Sequence, residues 1–210
     1  TYNRDDVSLV DVDENPIDRV TTDGIETAGD HYDLDVLVFA TGFDAMTGAL
    51  LAIDIEGRDQ TLESKWEAGP GTYLGLMTHG FPNLFTITGP QSPSVLTNMP
   101  LSIEQHVEWI ADCIAYMDEH GYDRIEPRQE SEEQWVQNTN MLAENMLFSE
   151  AKSWYRGANV PGKTQVFTPF PGGLDNYREI CARIARDDYD GFELGRASDA
   201  ADEAVSEPGD

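Results

Sequence analysis

The sequence is short of positive charge: 13 Lys+Arg against 40 Asp+Glu leave a formal net charge of −27 over 210 residues. Only three of those cations are lysines, Lys65, Lys152 and Lys163. Nucleic-acid backbones and anionic membrane surfaces are both gripped by clustered cations, so this balance excludes either as a partner. No apolar run approaches the roughly 20 residues that a membrane helix needs. Cysteine is equally scarce. Cys113 and Cys181 lie far apart within apolar helical patterns, which reads as two buried thiols in a reducing, cytoplasmic setting and not as a disulfide. The chain opens Thr1-Tyr2-Asn3-Arg4-Asp5-Asp6, without an initiator Met or the basic and apolar regions of a signal peptide. We expect it to start within a longer protein.

Several motifs are missing as well: GxGxxG, Walker A, CxxC, HExxH and GxSxG all fail to occur. The chain therefore has no phosphate cradle or nucleophile elbow of those kinds. His31, His79, His106 and His120 show no ligand spacing, and no metal site is expected. What is present is a chain that should fold, because 40% hydrophobic and 10% aromatic residues exceed what an acidic disordered protein carries. The acidic excess is spread along the chain, which suits a surface adapted to the concentrated salt of a halophilic cytosol.

The amino-terminal part reads as short strands and turns: Val7-Ser8-Leu9-Val10, then residues 17–20, then a hairpin at Thr22-Asp23-Gly24-Ile25. The run Val36-Leu37-Val38-Phe39-Ala40, followed by Thr41-Gly42, has the pattern of a strand buried on both faces of a parallel sheet. A second such strand is expected at Leu84-Phe85-Thr86-Ile87-Thr88, inside a Gly- and Pro-rich region from Gly69 to Pro100. A helix is expected to open at Pro100 and Ser102 with the capping box Ser102-Ile103-Glu104-Gln105 and to end near Gly121. Its apolar face would hold Ile103, Val107, Ile110, Ile114 and Met117. His106, next to that face, is read as structural, and Glu104, Glu108 and Asp112 as a solvated stripe. A further capping box at Ser131 predicts a helix to about Phe148 carrying Trp135, Leu142 and Met146, and a last helix spans Leu174 to Arg186. The stretch 197–210, small and acidic, reads as a disordered tail.

Three segments carry chemistry. A strand ending in Ala40-Thr41-Gly42 lets backbone approach a ligand at the carboxyl end of a sheet, although the same pattern suits an ordinary strand and turn. Ser94, Val95, Leu96, Thr97 and Met99 form either an apolar pocket wall beside a flat ring or a packed loop between strand and helix. Trp154, followed by Gly157 and Gly162, reads from its residue type as a core anchor; an indole donor on a hinged loop, with Lys163 adding charge toward a phosphate, is what the resemblance of this segment to a known family implies.

Asp35 to Asp44 resembles the late Ala-Thr-Gly motif of the flavin- and NADPH-dependent class B monooxygenases. Later stretches are similar to the Baeyer–Villiger branch of that group. They include Gly69-Pro70-Gly71-Thr72-Tyr73-Leu74-Gly75, Gly80-Phe81-Pro82-Asn83-Leu84-Phe85, Gly89-Pro90-Gln91-Ser92-Pro93-Ser94, Ser102-Ile103-Glu104-Gln105-His106 and Ser153-Trp154-Tyr155-Arg156-Gly157-Ala158-Asn159-Val160-Pro161-Gly162-Lys163. The resemblance implies an α/β fold, the carboxy-terminal part of a flavoprotein with two dinucleotide-binding domains. Residues 1–40 would end the NADPH domain and 41–196 would form the returning part of the FAD domain. It implies FAD and NADPH as cofactors, met by Thr41, Gly42, Phe43, Met99, Trp154 and Lys163. A ketone would be met by Ser94, Val95, Leu96 and Thr97, with O2 as co-substrate. The family's catalytic arginine and both phosphate cradles have no match in this chain, so an amino-terminal half of the enzyme is the expected partner. The rival expectations are an inactive truncated remnant or interaction module, and an N-hydroxylating or sulfoxidising relative.

Overall fold

A computed structural model describes residues 2–144, 146–147, 153–158 and 160–196. The chain divides into two compact units, Thr1–Thr41 and Gly42–Asp210. The expected tail at 197–210 lies outside the described residues.

The first unit is an antiparallel sheet of β1 (Ile17–Val20), β2 (Gly24–Thr27) and β3 (His31–Asp33) in that order. The hairpin expected around Gly24 forms, because the Thr21 N–H donates to the Gly24 carbonyl at 2.9 Å and the Thr21 hydroxyl donates to Asp23 at 2.7 Å. A Cβ at Gly24 would sit 1.9 Å from the Tyr32 carbonyl oxygen, so only glycine admits this approach. Two expected strands are absent. Residues 7–10 and 36–40 are without regular structure, and Val36, Val38 and Phe39 are each 76% exposed. A buried parallel strand needs a neighbour on each edge, and none of the described strands lies beside 36–40.

The second unit mixes helix and sheet. The short helices α1 (Gly48–Leu51) and α2 (Leu62–Lys65) precede three longer ones, α3 (Met99–His120), α4 (Gln129–Glu144) and α5 (Leu174–Arg186). Strands β4 (Arg124–Pro127) and β5 (Phe192–Gly195) pair antiparallel. The α5 limits agree with the periodicity, with Tyr177, Cys181 and Ile184 buried. The other helices start earlier than their capping boxes suggest. α3 begins at Met99 with Asn98 as N-cap and Pro100 in its first turn, where proline's missing N–H costs nothing; Ser102 is already inside. It ends at Gly121, whose left-handed φ of 71° closes the cap as expected. α4 starts at Gln129, and Phe148 lies outside the described residues.

The buried face of α3 only partly matches the expected apolar stripe: Met117 is buried and Ile110 half-buried against the core. Ser102, Gln105, His106, Trp109, Cys113 and Met117 are buried, whereas Ile103, Val107 and Ile114 are 39–48% exposed. Periodicity cannot choose between adjacent stripes of one helix; the partners choose. Here they are Tyr177, Cys181, Tyr189 and Phe192, which join Trp109, Cys113 and Trp135 in one core, with the Trp109 indole donating to the Cys181 carbonyl at 3.1 Å. Glu104, Glu108 and Asp112 are exposed as expected, but Leu142 of α4 is too. Among the described residues no helix is long and apolar enough to cross a membrane.

Both cysteines are free and buried, and burial pushes each thiol up to about 12. Neither is then thiolate at neutral pH. A thiol-exchange reagent added at pH 8 should find no rapidly reacting group in the native chain and both after denaturation. Fast labelling of the native chain would show that this core opens.

Candidate cofactor and substrate site

Residues 69–98 connect the early helices to α3 almost without regular structure, yet most of residues 70–94 are buried or half-buried. A buried irregular segment must satisfy its backbone with side chains. Thr72 Oγ1 lies 2.6 Å from the Pro90 carbonyl and accepts from the Gly75 N–H at 3.1 Å. Gln91 donates through Nε2 to the Pro70 carbonyl at 2.9 Å, while its own carbonyl accepts from the Trp135 indole at 3.0 Å. The strand expected at 84–88 is replaced by the same kind of bonding. The Thr86 N–H goes to the Leu76 carbonyl and its hydroxyl to the Gly75 carbonyl, and Thr88 leaves extended geometry at φ 52°. Leu74, Gln91 and Ser94 also hold positive φ, a concentration of strain that persists only where the surroundings impose it.

Two buried carboxylates fasten the turn at 79–80. Glu132 accepts from the His79 N–H at 2.6 Å and pairs with Lys65 at 2.9 Å. Glu126 accepts from the Gly80 N–H and pairs with Arg58 at 2.7 Å. Each buried charge thus has a cation and a backbone donor.

The last fastening runs through His106. Its Nδ1 accepts from the Thr88 N–H at 2.9 Å, and its Nε2 meets the Tyr177 hydroxyl at 2.9 Å, which donates onward to the Leu74 carbonyl at 2.6 Å. This arrangement needs the neutral ring, protonated at Nε2 alone. Burial accordingly pushes the imidazole down to about 4. Tyr177 is fully buried, which raises its phenol well above the ordinary value.

At the end of this segment Ser94–Leu96 forms a 3₁₀ turn. Ser94, Val95 and Met99 line a cavity of about 610 Å³ together with Met46, Ile87 and Trp154. Ser94 and Val95, expected at a substrate wall, and Met99 and Trp154, expected at a cofactor, therefore share one hollow although distant in sequence. Trp154, 40% exposed, starts a second 3₁₀ turn, Trp154–Arg156, and packs against Tyr155. Leu96 and Thr97 are half-buried and lie off that lining. Thr41 and Gly42 are exposed, and Phe43 is 88% exposed. Lys163 lines a separate cavity of about 590 Å³, its amine paired with Asp44 and donating to Thr47 at 2.7 Å.

Met46 and Thr47 escaped the sequence reading. Nothing in a sequence marks a methionine for φ 70° with its sulfur 3.6 Å from the Ser94 hydroxyl. His31, Asp23 and Asp33 gather on the exposed face of the first unit's sheet, with ligand-type atoms within 4.8 Å of one another.

No protein-family model matches the chain. Curated relatives match nearly all of it. It is 42% identical to cyclohexanone 1,2-monooxygenase of an Acinetobacter species, covering 92% of this chain and 36% of that protein. It is 45% identical to the methyl acetate-forming acetone monooxygenase of a Gordonia strain, covering 92% and 37%. A phenazine N-monooxygenase of Lysobacter antibioticus is 41% identical over 92% of the chain and 36% of its own length. Among solved structures, cyclohexanone monooxygenase from Rhodococcus sp. Phi1 bound to NADP+ superimposes with a TM-score of 0.85 at 46% identity, covering 93% of this chain and 37% of that one. A complex of a related enzyme, OTEMO, with FAD and NADP gives a TM-score of 0.84 at 42% identity over 92% and 36%. The fold is therefore that of the flavoprotein monooxygenases. Within that class the chain is similar over nearly all of its own length to Baeyer–Villiger monooxygenases, and it spans about a third of the length of the curated relatives it matches.

The His106 bonds set a pH dependence. Between about pH 4 and the ordinary histidine value of about 6.5, the unfolded chain binds a proton that the folded one refuses. Stability attributable to His106 is thus whole above about 6.5 and lost as pH falls toward 4, by at most about 3 kcal/mol. Urea denaturation across this range should show a slope that His106→Gln flattens. An unchanged slope in that variant would remove His106 as its source.

Proposed function

We propose that the protein carrying this chain is an FAD- and NADPH-dependent monooxygenase that uses O2 to insert an oxygen atom beside a ketone carbonyl, giving an ester or lactone. The observation that carries this reading is the shared cavity of Ser94, Val95, Met99 and Trp154, in a chain whose relatives include cyclohexanone and acetone monooxygenases. In this reading residues 1–40 end the NADPH-binding domain and 41–196 belong to the FAD-binding domain.

The residues present fit the cofactors on one side only. Val95, Met99 and Ile87 offer an apolar wall to a flat ring and a ketone. The Trp154 indole N–H has no hydrogen bond among the described residues, and as a pure donor it suits a ribose or phosphate oxygen of NADP. Thr41, Gly42 and Phe43 are the further residues assigned to cofactor contact. Lys163, whose amine meets Asp44 and Thr47 in this structure, is the candidate for charge toward a cofactor phosphate. When bound, the flavin supplies oxygen activation and NADPH supplies the hydride. This chain's residues orient the ketone, exclude water from it and cover the nicotinamide nucleotide. The chain has no GxGxxG, so the phosphate cradles belong to the remaining two-thirds of the enzyme.

The test has two arms. The chain alone, mixed with FAD in molar salt and desalted, should retain no flavin absorbance. Bound flavin that bleaches with NADPH would overturn the assignment of the phosphate cradles elsewhere. The longer protein, given cyclohexanone and NADPH, should form lactone in step with NADPH oxidation. Formation of an N-oxide from a nitrogen heterocycle, with no lactone, would favour the chemistry of the phenazine N-monooxygenase instead.

A further inference from the structure

We infer that Asp44 is a positioning residue that sets the width of the Ser94–Trp154 cavity; the consequence for catalysis, though not the geometry, rests on the function proposed above. Four consecutive residues, Asp44 to Thr47, link the Ser94 turn to Lys163: Ala45 and Met46 line that cavity, whereas Asp44, Thr47 and Lys163 line the neighbouring one. On one side the Met46 sulfur lies 3.6 Å from the Ser94 hydroxyl. On the other, Asp44 and Thr47 together hold the Lys163 amine. Thr47 is 1% exposed, so its hydroxyl is a built partner and not a chance surface contact. Lys163 in turn lies over the turn that carries Trp154. A Cβ on Gly157, the residue that caps Trp154–Arg156 at φ 72°, would come within 3.0 Å of the Lys163 Cδ.

The chain of contacts is therefore Ser94, Met46, the backbone to Asp44 and Thr47, Lys163, and the Trp154 turn. Of the described lysines the other, Lys65, is committed to Glu132. The Asp44 and Lys163 side chains are 38% and 20% exposed, a position in which an ion pair is partly sheltered from salt yet remains reachable by solvent. Removing the Asp44 carboxylate frees the amine. The Trp154 turn then loses its tie to the segment that fixes Ser94, while Thr168, whose N–H and hydroxyl both meet the Tyr155 carbonyl, remains as its second tether. Asp44 lies off the lining of that cavity and acts through Lys163.

Trypsin reports on this turn directly, because Arg156 is its last residue. In the chain, Asp44→Asn and Asp44→Ala should each speed cleavage after Arg156 by about threefold, the loosening expected from losing a pair of this exposure. Lys163→Met should do the same, and Asp44→Glu should restore the original rate. Unchanged cleavage in Asp44→Asn with an unaltered circular dichroism spectrum overturns the inference, whether or not the alanine variant folds. In the longer protein, Asp44→Asn should raise KM for NADPH about threefold with a smaller change in kcat, and an unchanged KM overturns the link to catalysis. If cleavage responds but the longer protein binds no NADPH, the positioning role stands and the proposed function fails.

Discussion

A backbone polar group removed from water must find a partner, and in this chain the demand falls on an irregular segment. Helices and sheets meet it internally. Residues 69–98 do not, so their carbonyls and N–H groups are met one at a time by Thr72, Gln91, Thr86, Trp135, His106 and Tyr177. Those side chains come from α3, α4 and α5 as well as from the segment itself. The three long helices are thus the scaffold that holds an unladdered strip of backbone in a strained but single shape, and the Ser94–Leu96 turn is the end of that strip. A cavity wall built this way is stiff although it contains almost no regular structure.

This requirement also explains why α3 turns polar residues inward beside Trp109, Cys113 and Met117. His106 and Gln105 occupy core positions that periodicity would assign to Ile103 and Val107. The histidine is needed at the Thr88 N–H, and an aliphatic side chain there would leave that donor unpaired, at a cost of about 1–3 kcal/mol. The apolar stripe left outside, like the exposed run at 36–40, belongs to a chain that spans about a third of its relatives.

Signals that act locally were legible. The limits of α5, the left-handed glycine closing α3, the hairpin at Gly24 and the two buried thiols all follow from neighbours in sequence. Ser94, Val95, Met99 and Trp154 were singled out through resemblance to a family; that they line one cavity was not foreseen, since no periodicity links residues 94 and 154. What failed were features set by distant partners. A strand at 36–40 needs neighbouring strands. The face of α3 is chosen by Tyr177, Cys181, Tyr189 and Phe192. The pairing of Lys163 with Asp44, 119 positions away, left no sign in the sequence either. Met46 left no trace, because a left-handed methionine is decided by its surroundings alone.

The one-to-one bonding of residues 69–98 also bears on how such a sequence can drift. Most loops absorb insertions and deletions freely, since water serves any backbone group that is displaced. Here a single residue gained or lost between Thr72 and Gln91 would put every later donor opposite the wrong acceptor, much as a slipped register ruins a strand. Point substitutions can be repaired by a neighbour, but a change of length cannot. The spacing of this strip is therefore expected to be its most slowly changing property, slower than the identity of the residues that line the cavity at its end.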